Sequence, residues 1–442
     1  MSSDHLYHHS KPYALLKEIS SFYHSVYYEN ICIKNVENIP LNEPVIFTPT
    51  HQNGLMDALA VIYSTKKQPV FLARADIFTK NTIKKILNFL KIIPVYRIRD
   101  GVESLSNNDN SFELAFQVLK NKGAVCIMPE GNHGEQRRLR PLKKGVARLG
   151  IQSQELLGSG ASIKIVPVGI EYSDYYNFRS NLLVIFGKPI DIKDYLQEYS
   201  ENAAKGLQSI RSRLVNDLSA IMINIDSDNY YDTIYEAKEL YSSHNRETLP
   251  TLYDKFVLDK KLSDKLVNLE TEKPEQLNLL KKNIDELNTF CNQLNIKPWV
   301  LSWKKPRRVI SWFSEVLRYL FFLPFFGVAA LFHLVPYIVS EIYANKVDDK
   351  QLLSSARFAL NFILYTVWYI FFLLLPVSSL IKLGIIITMP VLGVLAYDYW
   401  DSIKKLSIKF RYLLLKNQKN KTLEHTQNLY SDLITWLSNK VE

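Results

Sequence analysis

The sequence predicts an α/β domain, a mixed sheet flanked by helices, followed by a charged helical spacer and a C-terminal α-helical membrane region. Between Glu29 and about Tyr230, short Val-, Ile- and Phe-rich runs bounded by Pro, Gly or Asn alternate with helical patterns, as in a sheet buried on both faces. In the C-terminal third, three apolar stretches of bilayer length fall within about eighty residues, which soluble proteins seldom allow. With 442 residues, 47% of them hydrophobic, the chain can bury a full core and carry more than one structural unit.

Residues 1–30 are expected to hold an amphipathic helix. Over 13–28, Leu16, Ile19, Tyr23 and Val26 recur at three- and four-residue spacing, too short and too polar to span a bilayer but suited to lying on one. Residues 31–230 form the α/β domain, with strands expected at 31–33, 45–48, 69–73, 125–128, 163–170 and 182–186. From 231 to 305 the pattern turns helical and strongly charged, and is read as a solvated spacer. The membrane region, 306–400, contains the stretches 319–339, 358–377 and 380–397, and residues 401–442 read as a basic amphipathic helix.

Basic residues set the orientation. Lys304, Lys305, Arg307, Arg308 and Arg318 precede the first stretch, while Lys404, Lys405, Lys409, Arg411, Lys416, Lys419 and Lys421 follow the last. Both flanks are therefore expected on the cytoplasmic side, which an odd number of crossings contradicts. The first stretch, with Pro324 and Pro336, is expected to bend into a re-entrant or in-plane segment, leaving 358–397 as a hairpin turning at 376–379. Trp303, Trp312 and Trp400 fall where interfacial aromatics belong.

A net charge of +10 points to an anionic partner: nucleic acid, an anionic bilayer or a phosphorylated substrate. The three cysteines, Cys32, Cys126 and Cys291, are odd in number and widely spaced, so neither a disulfide framework nor a zinc site is indicated. The polar N-terminus lacks the apolar core of a signal peptide, consistent with a cytoplasm-facing protein.

Candidate chemistry begins at Thr50-His51-Gln52-Asn53-Gly54, which follows the strand 45–48 and precedes a helical run at 55–63. His51 thus sits on a strand-to-helix loop, with Asp57 in the early turns of the helix and able to reach back to the ring. A carboxylate fixes the tautomer of an imidazole and stabilises the imidazolium, so the pair can take a proton from an alcohol near neutral pH. On composition alone His51 equally suits a helix cap or a satisfied loop residue. Some seventy residues on comes Met128-Pro129-Glu130-Gly131, where Gly131 suits a tight turn.

In this company the chain resembles the glycerolipid acyltransferase family that includes glycerol-3-phosphate and 1-acylglycerol-3-phosphate acyltransferases. The resemblance rests on four blocks in order: His51 to Asp57, Ile92-Ile93-Pro94-Val95-Tyr96-Arg97, Met128-Pro129-Glu130-Gly131 and Val166-Pro167-Val168-Gly169. It covers roughly 31–191. The five residues between His51 and Asp57, where four are usual, resemble the branch acylating glycerol-3-phosphate or dihydroxyacetone phosphate. Lys91 stands at a position where the family usually has Gly, and Asn132, His133 and Gly134 replace a common Thr-Arg-Ser.

The resemblance implies that His51 is the general base and that Asp57 orients it. The acyl group would move directly from an acyl thioester, acyl-CoA or acyl-carrier protein, to the hydroxyl of glycerol-3-phosphate or 1-acylglycerol-3-phosphate. No cofactor or metal is expected. Glu130 is expected to bind the acceptor and organise the site, or else to pin the turn, and His133 to form a polar wall. Six cations, Arg137, Arg138, Arg140, Lys143, Lys144 and Arg148, follow the third block. Arg97, Arg137 and Arg138 are the candidates for substrate phosphate, since guanidinium groups fork onto phosphate oxygens; a solvated or bilayer-facing basic surface is the alternative for the later members.

No Gly-x-Ser-x-Gly elbow occurs, so a covalent acyl-enzyme is not required. Nucleic acid is disfavoured because the basic cluster lacks interleaved aromatics. The expected partners are the bilayer, the acyl donor and a glycerol-phosphate acceptor, with the catalytic domain on the cytoplasmic face of the inner (plasma) membrane. Two other readings stay open: an acyltransferase for another lysophospholipid or amino-lipid, and a non-catalytic membrane-anchored lipid-binding protein.

Overall fold

The computed structural model describes residues 4–96, 107–303 and 309–441. Arg97 and the basic residues at 304–308 therefore lie outside the described residues. The chain divides into two compact units, Met1–Ile223 with Asp349–Ala356, and Asn224–Asp348 with Arg357–Glu442.

The first unit opens with α1 (Asp4–Tyr7) and α2 (Lys11–Tyr27), then β1 (Asn30–Lys34), β2 (Val45–Pro49), α3 (Gly54–Ser64), β3 (Val70–Arg74), α4 (Asn81–Phe89), β4 (Ile92–Val95), α5 (Asn107–Lys120) and β5 (Ala124–Ile127). It continues with α6 (Gly145–Leu157), β6 (Lys164–Tyr172), β7 (Asn181–Phe186), β8 (Ile190–Asp191), α7 (Leu196–Glu201) and α8 (Ala203–Ala220). The strands form one mixed sheet in the order β1-β7-β6-β2-β5-β3-β4, with β8 on β6. β7 and β8 run antiparallel to β6, and the other pairs are parallel.

β2 is the strand that matters most, because it lies between β5 and β6 and is buried throughout. Val45, Ile46 and Phe47 are fully enclosed, which is why the run is continuously apolar rather than alternating. Burying each such side chain contributes about 1.5–3 kcal/mol of transfer free energy. All six expected strands are present, and β4 joins them at the sheet edge, where Pro94 removes no central ladder bond.

α2 is present and packs inward through an aromatic stripe. Tyr13, His24 and Tyr27 face inward while Leu15, Ile19 and Phe22 are exposed. The aromatic rings decide this: His24 lies 4.7 Å from the Tyr63 ring and 4.9 Å from that of Tyr28, centroid to centroid. Burial pushes the His24 imidazole down to about 3, so it stays neutral there.

The second unit contains α9 (Tyr231–His244), α10 (Leu252–Glu272), α11 (Pro274–Gln293), α12 (Val309–Ala344), all but the start of α13 (Leu353–Leu374), α14 (Ser379–Asn417) and α15 (Lys421–Val441). The charged section is not a spacer. α9, α10, α11 and α15 pack together, burying Leu262, Leu266, Leu280, Leu287, Leu433 and Leu437. A capping box at Thr251 and Asp254 starts α10 by satisfying its first free amides. Nor does a break fall at residue 400: α14 runs on to Asn417, so the basic tail is the end of α14 plus α15.

Among the described residues, three helices are long and apolar enough to cross a membrane: Val316–Ala344, Lys350–Leu374 and Ser379–Asn417. Their large side chains face outward, with Leu331, Leu374 and Leu380 more than 70% exposed, a surface that lipid solvates and water does not. This is a membrane protein. α12, the helix expected to bend at its prolines, is continuous through Pro324 and Pro336. Pro336 cannot donate to the Phe332 carbonyl one turn back, and the indole Nε1 of Trp368 donates to that carbonyl instead at 2.9 Å. α13 and α14 follow one another across the short turn at 375–378, and Ser378 caps α14.

Candidate active site

β2 ends at Pro49, and the chain beyond it is pinned before it turns. Thr50 donates its amide to the Val168 carbonyl at 2.9 Å, and its Oγ1 accepts the Ile170 amide at 3.1 Å. His51 is thereby held at the carboxyl end of a central parallel strand, the edge at which open α/β sheets place their ligands. α3 then starts at Gly54, whose φ of +49° is a left-handed conformation that glycine adopts at little cost.

Asp57, in the first turn of α3 and wholly buried, gathers the loop around its carboxylate. Oδ2 accepts the amides of Gln52 and Asn53 at 2.8 and 2.7 Å and lies 3.0 Å from His51 Nδ1. Oδ1 accepts the Tyr172 hydroxyl at 2.9 Å. Burial, reinforced by Asp57, holds the Tyr172 phenol well above its ordinary range, so it remains a donor. The helix N-terminus adds its own preference for negative charge. An ionised Oδ2 can only accept, so Nδ1 carries the proton and the lone pair lies on Nε2, which has no protein partner among the described residues. A neutral imidazole with Nε2 available can remove a proton from a hydroxyl.

A second carboxylate steadies the His51 backbone. Glu130 Oε1 accepts the His51 amide at 2.8 Å, while Oε2 accepts Arg140 Nε at 2.8 Å and the Arg140 amide at 3.2 Å. Arg140 closes the loop by donating from Nη2 to the His51 carbonyl at 2.5 Å. Burial raises the Glu130 carboxyl above its usual range, although Arg140 and the amide bonds pull the other way. Gly131 next to it has φ +74°, and its amide bonds to the Met128 carbonyl at 3.2 Å, so the tight turn forms as expected.

The remaining candidates separate. His133 stands beside His51, its ring 5.6 Å from that of His51 and nearly perpendicular to it. Arg138 is half-buried on the same turn. Arg137 points elsewhere: its guanidinium is buried against Glu171, donates to the Tyr172 carbonyl at 2.5 Å and lies over the Tyr175 ring. The expectation that Arg137 meets substrate phosphate is therefore corrected, because its guanidinium is buried and both its Nη atoms are bonded inside the protein. Two organising residues escape the sequence reading. Tyr172 ends β6 with no local motif, and Arg140 was one cation among six; its pairing with Glu130 is a contact only the folded turn creates.

Burial pushes the thiols of Cys126 and Cys291 up, the latter to about 11, which keeps both protonated and poor nucleophiles. Among the described residues, no group of three or more His, Cys, Asp or Glu side chains converges on a metal position.

Comparison with known proteins bears on the same segment. The Acyltransferase family model matches residues 30–171. Glycerol-3-phosphate O-acyltransferase 2 of Saccharomyces cerevisiae is 26% identical over 216 residues, which are 47% of this chain and 28% of that protein. The chloroplastic 1-acyl-sn-glycerol-3-phosphate acyltransferase of Brassica napus is 26% identical over 167 residues, 36% of this chain and 44% of that protein. The chain thus spans less than half the length of either relative. The crystal structure of PlsC, the 1-acyl-sn-glycerophosphate acyltransferase from Thermotoga maritima, superposes with a TM-score of 0.33 at 20% identity, covering 47% of this chain and 80% of that one. The four sequence blocks and the His51–Asp57 pair at the end of β2 all fall within residues 30–171, the segment that the Acyltransferase family model matches.

Proposed function

We propose that this protein transfers a fatty acyl group from an acyl thioester, acyl-CoA or acyl-carrier protein, to a hydroxyl of glycerol-3-phosphate or 1-acylglycerol-3-phosphate. The observation that carries the reading is the bond between His51 Nδ1 and Asp57, which leaves Nε2 as the base. As the acceptor oxygen attacks the thioester carbonyl, Nε2 takes its proton and Asp57 stabilises the imidazolium. The C–S bond then breaks, and the proton passes from Nε2 to the departing thiolate. Glu130 and Arg140 fix the backbone that carries the base, and Arg97 and Arg138 are assigned to the acceptor's phosphate. The unit acts from the cytoplasmic face of the membrane, where acyl chains enter and leave through lipid.

Asn132-His133-Gly134, in place of the family's usual Thr-Arg-Ser, supports a second reading in which the acceptor is another lysophospholipid or an amino-lipid. One experiment addresses both. Detergent-purified protein is given a labelled acyl thioester with glycerol-3-phosphate, 1-acylglycerol-3-phosphate and a series of lysophospholipids, beside His51→Ala. Loss of a general base costs about 10² to 10⁴ in rate, so His51→Ala is expected to lose turnover by that factor while staying folded. A folded His51→Ala protein with wild-type turnover would refute the mechanism, and the acceptor that turns over selects between the two readings.

A further inference from the structure

The first unit includes eight residues from far along the chain, Asp349–Ala356, and they meet the loop that carries the base. Asp349 caps a short 3-10 turn, Lys350–Leu352, by accepting the Gln351 amide at 3.0 Å, and the chain then enters α13. Ser354 and Ser355 are both buried. Ser354 Oγ donates to Asn53 Oδ1 at 2.5 Å, and Ser355 Oγ lies 3.4 Å from the Asn53 carbonyl. Ser355 Oγ also accepts the Leu55 amide at 3.0 Å.

That last bond has a physical meaning. Leu55 is the second residue of α3, and its amide is one of those a helix start leaves without an internal partner. Ordinarily the N-cap side chain accepts it. Asn53 holds the N-cap place but makes no such bond, its side chain being turned to Ser354 and to the Tyr175 carbonyl. Ser355, three hundred residues away in sequence, supplies the cap instead. The approach is close: a Cβ at Gly54 would sit 2.8 Å from Leu352 Cδ2 and 3.0 Å from Ser355 Oγ. Glycine at 54 thus serves both the left-handed backbone and the seat of this strap.

The same strap reaches the other side of the base. Gln351 Oε1 is bonded to His133 Nδ1, and the Asp349 carboxylate is 3.7 Å from the same nitrogen. The imidazole beside His51 is therefore fixed from position 351 and not from its own turn.

We propose that Asp349–Ala356 is a working part of the acyltransferase site, with Ser355 and Gln351 as positioning residues. Ser355 locks the Asn53–Leu55 turn on which the His51–Asp57 geometry depends, and Gln351 holds His133 against the space where the acceptor binds. This rests on the functional reading above. It makes the start of a helix long enough to cross a membrane a structural part of the catalytic loop, so the N-terminal segment alone does not contain the whole site.

The test uses the full chain in detergent. Ser355→Ala, Ser355→Thr and Gln351→Ala are compared with wild type for kcat and KM with acyl-CoA and the acceptor found active, and for amide hydrogen exchange in the peptide covering 52–60. Displacements of an ångström cost up to about a hundredfold. Ser355→Ala is accordingly expected to lower kcat about tenfold or more with both KM values unchanged and to speed exchange at 52–60, while Ser355→Thr, which keeps the hydroxyl, restores both. Gln351→Ala is expected to raise the acceptor KM several-fold and leave the donor KM alone. Wild-type kinetics in Ser355→Ala and Gln351→Ala, with His51→Ala inactive, overturn the inference and leave the proposed function standing. If wild type turns over no donor–acceptor pair, it is the function that fails, and exchange at 52–60 still decides: unchanged exchange in Ser355→Ala overturns the strap, faster exchange sustains it.

Discussion

Two buried carboxylates flank His51 and do different work. Asp57 receives the imidazole itself, two amides and a phenol, and every one of those donors favours its charge. Glu130 never touches the ring: it receives the amide of His51 and the guanidinium of Arg140. In the proposed reaction, one acts on the group that takes up the proton, the other on the frame that holds it. An acid next to an active-site histidine is thus not by position a proton relay, and the atom it contacts decides.

The largest expected effect is at Asp57. An Asn in its place can keep its carbonyl toward Nδ1–H and the two amides and offer its NH₂ to the Tyr172 oxygen, so the tautomer survives while the charge is lost. Two unit charges about 4 Å apart in a protein-like dielectric interact by about 4 kcal/mol. Asp57→Asn is therefore expected to lower kcat by about 10³, measured in the same acyl-transfer assay with folding checked by circular dichroism. Glu130→Gln comes next, at about tenfold in kcat, because it loosens the backbone of His51 without removing a charge that the transition state feels. Equal losses at the two positions would dissolve the contrast and place Glu130 in the chemistry.

How much of this was legible beforehand follows from how local each signal is. Strands such as β2 and β6 announce themselves as Val- and Ile-rich runs because a parallel strand buried on both faces must be apolar at every residue. β4 was readable only as a sequence block, since four residues containing a proline make a poor strand signal away from an edge. His51 and Asp57 lie within one loop and helix start, so spacing exposes them; Tyr172 and Ser355 reach the same loop from 115 and 300 residues away, and no window on the sequence connects them. The charged helices show the same limit. Leu262, Leu266 and Leu269 form a stripe, but the α15 that joins it in the bundle follows after the membrane helices. At Pro336 of α12, the partner of the unpaired Phe332 carbonyl is Trp368, thirty-six residues away and outside any local window.

Arg137 sharpens the comparison from outside the pair. With Glu171 it forms an ion pair almost wholly removed from water, and Glu171 also accepts the Ile223 amide at 2.8 Å. Arg137→Met leaves that carboxylate without its guanidinium, for which the typical cost is about 3–5 kcal/mol of stability. Melting in detergent is expected to fall accordingly, while the acceptor KM of the folded fraction stays unchanged. A raised KM for a phosphate-bearing acceptor, with melting intact, would return Arg137 to the substrate.

The smallest effect is expected at Lys91, which has φ +58°, a conformation in which a side chain is strained. Its ammonium is buried, donates to the His8 carbonyl at 2.9 Å, and lies 5.6 Å from the centre of the Tyr13 ring. Lys91→Gly relieves backbone strain of about 1–2 kcal/mol and gives up this tether on the N-terminal segment, so near pH 7 the two effects oppose and melting changes little. Burial lowers the Lys91 ammonium from 10.5 to about 8, so between those values the folded chain binds fewer protons than the unfolded one, and its stability rises with pH across that window. The glycine variant lacks this term. The difference in melting temperature between wild type and Lys91→Gly is therefore expected to move in favour of wild type from pH 8 to pH 10, with amide exchange at residues 6–13 faster in the variant throughout. A difference that is flat with pH would mean that Lys91 is solvated in the native protein and that the N-terminal segment is held by its other contacts, among them the bonds of Ser10 to Gln68.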